Sequence, residues 1–209
     1  MKTHIKFLGE FEKQFAKKIK KKGLTITVSG VSGAGKTDGA RVLAKAFKLR
    51  YVSAGEIQRQ VAKERGISLE EQVDIRGPEI DHSMDKRSLK LAMQGNVVLD
   101  GRLTGWVAGD WVDVKVWYEC PLKVRAKRVA KRDNISFEGS FKNLEERDKD
   151  DREKYLKLYS IDSFDTSIYD IKINNEKLTK MQAKIVPVKL VKEFLIKSKK
   201  QYHKQLNNQ

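Results

Sequence analysis

Lys36 and Thr37 close the run Gly30-Val-Ser-Gly-Ala-Gly-Lys-Thr, which follows the apolar stretch 24–28 and precedes a helical pattern. The order strand, glycine loop, helix is the setting in which backbone N–H groups wrap a phosphate and a helix N-terminus adds its dipole. Gly30, Ser32, Gly33, Ala34, Gly35, Lys36 and Thr37 are therefore the expected nucleotide-phosphate set. In such a loop the lysine reaches the β- and γ-phosphates, and the threonine hydroxyl completes the shell of a mostly hydrated Mg²⁺.

Three further groups carry charge suited to phosphoryl chemistry. Leu99-Asp-Gly-Arg102 ends an apolar strand pattern, so Asp100 can sit beside the water shell of the metal while Arg102 faces a phosphate or base. A lone Asp-Gly is otherwise simply a turn. Arg125, Arg128 and Arg132 follow at i, i+3 and i+7 and so share one helical stripe. A long charged helix bears Arg147, Asp148, Asp151, Arg152 and Lys154, and the polar segment Asp133-Asn-Ile-Ser-Phe-Glu-Gly139 between the two helices is expected to act as a closing flap. Two cationic stripes joined by a flap supply positioning and charge, which phosphoryl transfer needs more than a covalent nucleophile. The simpler alternative is a pair of solvated helices with surface ion pairs, Arg152 with Glu145 or Asp148 among them.

The elements that must position these groups alternate along the chain. A helix through about Phe47 leads to a strand at Arg50-Tyr-Val52 and a helix from about Gly55 to Arg65. Pro78 can open a third helix, which Gly95 stops before the strand Asn96-Val-Val-Leu-Asp100. A strand at 112–118, a helix from Pro121 to about Arg132, a helix at roughly 141–159, a strand near 168–173 and a helix at about 180–197 complete the pattern. Alternation of this kind implies an α/β fold with a parallel sheet covered on both faces and ligands at the carboxyl ends of its strands. Ile5, Leu8, Phe15 and Ile19 add an amphipathic helix before the first strand.

Composition narrows the class. The 209 residues suit one domain, and no apolar run approaches the roughly 20 residues of a membrane span, so a soluble, cytoplasmic protein is expected. One cysteine, Cys120, excludes an intrachain disulfide, and the three histidines are too scattered for a zinc set. The net charge of +16 gathers at Lys17–Lys22 and in the tail, where the absence of interleaved aromatics favours a solvated face over a nucleic-acid patch.

Taken together, the motifs resemble the archaeal type of cytidylate kinase, within the P-loop nucleoside monophosphate kinases. The matching pieces are the loop 30–37, Val52-Ser-Ala-Gly-Glu-Ile57 with Arg59, Pro78-Glu-Ile-Asp81 with Asp85 and Arg87, Gly95-Asn-Val-Val-Leu-Asp-Gly-Arg102 with Trp106, Pro121-Leu-Lys-Val-Arg125 with Arg128, and Tyr159-Ser-Ile-Asp162 leading to Ser167-Ile-Tyr-Asp170. The resemblance implies a three-layer kinase fold with ATP and Mg²⁺ as cofactors and transfer of the γ-phosphoryl group to CMP or dCMP. It also implies a single kinase domain over 1–209: a helical extension at 1–22, core segments at 24–52, 95–132 and 144–197, an acceptor-binding region at 53–94, a short lid at 133–143 and a basic tail at 198–209.

Residue by residue, the resemblance puts Ser53 and Arg59 on the acceptor nucleotide, with Arg59 on its phosphate, and Arg102 near it. Asp81, Asp85 and Arg87 are implied to hold the cytosine or its sugar; carboxylates suit the exocyclic amine as acceptors. Asp100 belongs with both acceptor and metal, the latter through water and alongside Thr37, while Lys36, Arg128, Arg147 and Arg152 embrace the transferring phosphate. Small-molecule nucleotides are the expected partners, with no membrane and a monomeric protein.

The chain departs from the family at two points. Asp38 stands where Thr or Ser is common, placing an anion in the first turn after the loop, and Lys154 replaces an arginine, which loses the planar fork. The helix before Leu24 and the tail beyond about Gln201 exceed the family pattern. Two alternatives stay open at this stage: a kinase for another small acceptor such as AMP or UMP, and a basic P-loop protein acting in RNA or ribosome work.

Overall fold

The computed structural model describes residues 3–66 and 78–206. In chain order the elements are α1 (Leu8–Ala16), β1 (Thr25–Gly30), α2 (Lys36–Phe47), β2 (Arg50–Ser53), α3 (Ala54–Arg65), α4 (Pro78–Gln94), β3 (Val97–Asp100) and α5 (Thr104–Ala108). After a short 3-10 turn at Gly109–Trp111 come β4 (Val114–Glu119), α6 (Leu122–Asp133), α7 (Phe137–Tyr159), β5 (Ile171–Asn174) and α8 (Gln182–Leu206). Residues 67–77 of the expected acceptor region lie outside the described residues.

The expected parallel α/β sheet is present, in the order β2-β3-β1-β4-β5 with every neighbouring pair parallel. β1 is central: Thr27 is level with Leu99 on one side and Lys115 on the other, and all six of its residues are buried. A strand covered on both faces has no solvent side, which explains why it reads as a nearly continuous apolar and threonine run. Period-two alternation sorts the flanking side chains. Val98 of β3 packs with Leu43 of α2 and Val191 of α8 on one face, while Val97 and Leu99 pack with Ile57 of α3, Ile80 of α4 and Ala108 of α5 on the other. The carboxyl ends of β1, β2 and β3 consequently point Gly30, Ser53 and Asp100 toward one edge of the sheet.

Several boundaries differ from the sequence expectation. The 133–139 segment is a tight helix–turn–helix link. α6 ends at Asp133, Asn134 takes the left-handed conformation (φ 55°), and Ser136 caps α7 by accepting a hydrogen bond from the Gly139 N–H at 3.0 Å. A serine cap one turn ahead of an apolar position starts a helix, so α7 begins at Phe137 and not Phe141. Likewise β5 spans Ile171–Asn174, later than expected, because the preceding turn ends with the Asp170 N–H donating to Lys115 O. α1 is shorter than its apolar spacing: Ile5 and Ile19 pack beside it from outside the helix. No helix among the described residues is long and apolar enough to cross a membrane.

Candidate active site

The loop between β1 and α2 owes its shape to glycine. Gly35 sits at φ 87° as the N-cap of α2, and a Cβ there would lie 2.3 Å from Asn175 Nδ2. Gly30 sits at φ 143°, with the Tyr118 carbonyl oxygen 2.2 Å from the place of a Cβ. Only glycine fits at either point. Side chains from across the sheet brace the loop: Asn175 Nδ2 donates to Ala34 O at 2.8 Å and Arg125 Nη1 to Ser32 O at 2.9 Å. Gly30 and Ala34 thus shape the loop from its buried side, whereas Ser32, Gly33, Gly35, Lys36 and Thr37 face open space.

Lys36 folds back over the loop, its ammonium donating to Val31 O at 3.3 Å. Burial brings its pKa down to about 8; Asp100 opposes that shift, while Arg102 and Arg147 add to it. A phosphate placed there would supply the missing negative charge. Beside it the Thr37 hydroxyl donates to Asp100 Oδ2 at 2.7 Å, and the Tyr51 hydroxyl donates to the same oxygen at 2.9 Å. Asp100 Oδ1 is buried with no hydrogen-bond partner among the described residues. A hydroxyl next to an orphaned carboxylate oxygen fits a hydrated divalent cation that takes most of its ligands from water and phosphate.

Two recesses meet at this loop and share Ser32, Lys36, Thr37 and Arg147. The larger, about 950 Å³, gathers Ser53, Arg59, Asp81, Asp85, Asp100 and Arg102 from the β2 end, α3, α4 and the β3 end. Ser53 also caps α3, accepting a hydrogen bond from the Glu56 N–H at 3.1 Å. Arg102 donates to Ser32 Oγ at 2.7 Å and forms an ion pair with Asp151 of α7. Burial, then Arg147 close by, lowers the Arg102 pKa to about 10. Asp81 accepts from Lys154 Nζ at 2.7 Å, and the Tyr159 hydroxyl donates to Asp85 Oδ2 at 2.5 Å. Burial raises Asp85 to about 7 in spite of that hydrogen bond. The second recess, about 730 Å³, includes Gly33, Gly35, Asp38 and Arg128. Asp38 therefore faces the same space as the loop, on its exposed side.

The arginine stripe of α6 does not act as one surface. Arg125 is 4% exposed and bound to Asp148 and to two carbonyls; Arg128 donates to Asn175 O at 2.8 Å and Glu176 O at 3.1 Å; Arg132 pairs with its neighbour Asp133. Arg87 and Arg152 are not brought to either recess. Arg87 forks onto Glu64 at 2.6 and 2.8 Å, and Arg152 pairs with Asp162 at 2.6 Å and lies over the Phe164 ring. Each sits on the outward side of its helix, a direction that spacing along one helix does not reveal.

Sequence reasoning missed Arg41, Tyr51, Gln58 and Tyr155 in the larger recess, and Asn175 behind the loop. Arg41 lies over the Tyr51 ring, 5.1 Å from its centroid. The signal for Tyr51 was present: it is two residues before Ser53 on one strand and so shares its side. Asn175 had none, because it reaches the loop from a segment distant in the chain.

A family model described as an AAA domain matches residues 26–153. Among curated relatives, a cytidylate kinase of Pyrococcus abyssi is 48% identical over 156 residues, covering 74% of this chain and 86% of that protein. One of Pyrococcus horikoshii is 47% identical over 156 residues, 74% of this chain and 81% of its own. One of Staphylothermus marinus is 40% identical over 174 residues, 82% of this chain and 98% of its own. Among solved structures, the shikimate kinase from Acinetobacter baumannii in complex with shikimate superposes with a TM-score of 0.55 at 16% identity, over 89% of this chain and 98% of that one. Likeness at that identity speaks to the fold.

Proposed function

The chain belongs to the cytidylate kinases, and we propose that the two recesses are the acceptor and donor halves of its phosphotransfer site. The enzyme transfers the γ-phosphoryl group of ATP to CMP, and we extend the acceptor range to dCMP. The observation that carries the assignment of halves is the junction itself: Lys36, Thr37 and Arg147 line both recesses, so one end of a phosphate chain in either is within their reach.

In this reading the triphosphate of ATP lies on the 30–37 loop, with Lys36 at its β- and γ-phosphates. CMP lies in the larger recess, its phosphate near Arg59 and Arg102 and its base toward Asp81 and Asp85. A phosphate oxygen of CMP attacks the γ-phosphorus in line; the new P–O bond forms as the bond to the bridging β–γ oxygen breaks, and ADP leaves with that oxygen. Lys36, Arg102 and Arg147 neutralise the charge that develops on the transferring oxygens. Thr37 and Asp100 would hold Mg²⁺, which when bound offsets charge on the donor phosphates. The tip of the α6–α7 hairpin, residues 133–143, is the lid in this scheme, excluding water that would otherwise compete as acceptor. Residues 53–94 are the acceptor side.

The test is an acceptor panel of CMP, dCMP, UMP and AMP in an ADP-release assay with the products identified. CDP and dCDP should form with the highest kcat/KM. A preference for AMP, or ADP release with no nucleoside diphosphate from any acceptor, would contradict the assignment.

A further inference from the structure

Residues 3–16 precede the matched family region, which begins at residue 26, yet they are built into the wall of the larger recess. Ile5 and Leu8, 2% and 0% exposed, pack with Leu89 and Met93 of α4 and with Leu103 and Val107. Leu103, Val107 and Tyr155 belong to this same apolar cluster and also line the recess. One cluster thus has the N-terminal segment on its outer side and the proposed acceptor on its inner side. Polar ties hold the segment in place: the Thr3 hydroxyl donates to Val107 O at 2.7 Å, and Trp111 Nε1 donates to Glu12 Oε1 at 3.0 Å.

Phe7 makes the most direct connection. Its ring stacks on His82 of α4, with centroids 4.0 Å apart and planes at 29°, and lies 5.7 Å from Tyr159 at 14°. Tyr159 in turn donates its hydroxyl to Asp85. The ring therefore bridges the helix that carries Asp81 and Asp85 to the tyrosine that orients Asp85.

We propose that residues 3–16 form a strap that fixes α4 against α7, with Phe7 as a positioning residue that orients Asp85 for the acceptor base. The proposal rests on the reading of the larger recess as the acceptor site. Its physical content is preorganisation: a stacked ring removes rotamers from His82 and Tyr159, so that ordering Asp85 is not charged against acceptor binding. Among the described residues the donor loop shares no hydrogen bond or ring contact with Phe7, His82, Tyr159 or Asp85, so ATP binding should be indifferent to them.

The experiment uses the full chain with Phe7→Ala, Phe7→Leu and Phe7→Trp. The KM for CMP should rise roughly 3- to 10-fold in Phe7→Ala, from the loss of an aromatic contact. The KM for ATP and kcat should stay within about twofold, and Phe7→Trp should restore the CMP value. Amide hydrogen exchange without nucleotide should be faster across 78–94 in Phe7→Ala than in the parent. An unchanged KM for CMP with unchanged exchange, or equal increases for CMP and ATP, would overturn the strap. If Phe7→Ala does not fold, Phe7→Leu, which keeps apolar volume but not the stack, is judged by the same criteria. Should the parent protein reject CMP, the acceptor reading falls; exchange across 78–94 still decides whether the strap exists.

Discussion

Arg125 Nη2 lies 2.7 Å from Asp148 Oδ2, and the same guanidinium donates to the Ser32 carbonyl at 2.9 Å. A buried ion pair between α6 and α7 therefore ends on the backbone of the phosphate loop. Arg125→Met should lose about 3–5 kcal/mol in urea unfolding, because Asp148 is left buried without its cation. A variant as stable as the parent would show that the pair is not what holds the hairpin on the loop.

Lys36→Ala should lower kcat at least about 100-fold, the scale of one electrostatic group acting on a transition state, with circular dichroism and melting temperature near those of the parent. The lowered pKa, about 8 in the free protein, adds a pH signature. As pH rises through that value the ammonium loses its proton, so ATP affinity should fall between pH 7 and 9. Lys36→Arg, which does not titrate there, should show a flat profile over the same range.

Arg59→Ala should raise the KM for CMP roughly 10- to 100-fold, the equivalent of a charged hydrogen bond of about 1.5–3 kcal/mol, with the KM for ATP little changed. A selective loss of ATP affinity would move Arg59 out of the acceptor half.

Arg147 and Arg152 sit on one helix but face different surroundings, Arg147 on both recesses and Arg152 on Asp162. Arg147→Gln should cut kcat about 100-fold, whereas Arg152→Gln should stay within about twofold. Equal losses in steady-state assays would mean that Arg152 swings inward during turnover.

Asp85, with its folded pKa raised from 3.8 to about 7, holds a proton that the unfolded chain releases. Native protein thus binds more protons between those values, and stability falls as pH rises across the interval, with the full penalty above 7. Asp85→Asn removes the charge while an amide oxygen still accepts from Tyr159. Its stability advantage over the parent should grow from pH 4 to pH 8, by up to on the order of 4 kcal/mol. A constant difference in denaturant midpoints across that range would contradict the assignment.

Much of the fold, and the strand–loop–helix shape of 30–37, was legible in the residue order. Strand β1, the glycine loop and α2 are adjacent in the chain, and phosphate binding by consecutive backbone N–H groups is a local property that local spacing reports. The five apolar runs, separated in three of their four intervals by a helical pattern, implied the parallel sheet, and register then carried Ser53 and Asp100 to the same edge as Gly30. The acceptor residues came instead from a family resemblance, since no spacing rule marks a carboxylate as a base reader.

What the residue order determined by itself was therefore the loop, the alternation of elements and the pool of charged side chains. Only the tertiary structure decided which charges meet. Helical periodicity states that Arg125, Arg128 and Arg132 share a stripe, but the direction of that stripe is set by the packing of α6 on α7 and beside the turn after β5, which buries Arg125 and spends Arg128 on two carbonyls. Tertiary packing likewise brought Phe7 from the N-terminal segment to within stacking distance of His82 and Tyr159. Such contacts join residues some 75 to 150 positions apart, where apolar burial over the whole chain, and not the preference of any short segment, chooses the partner.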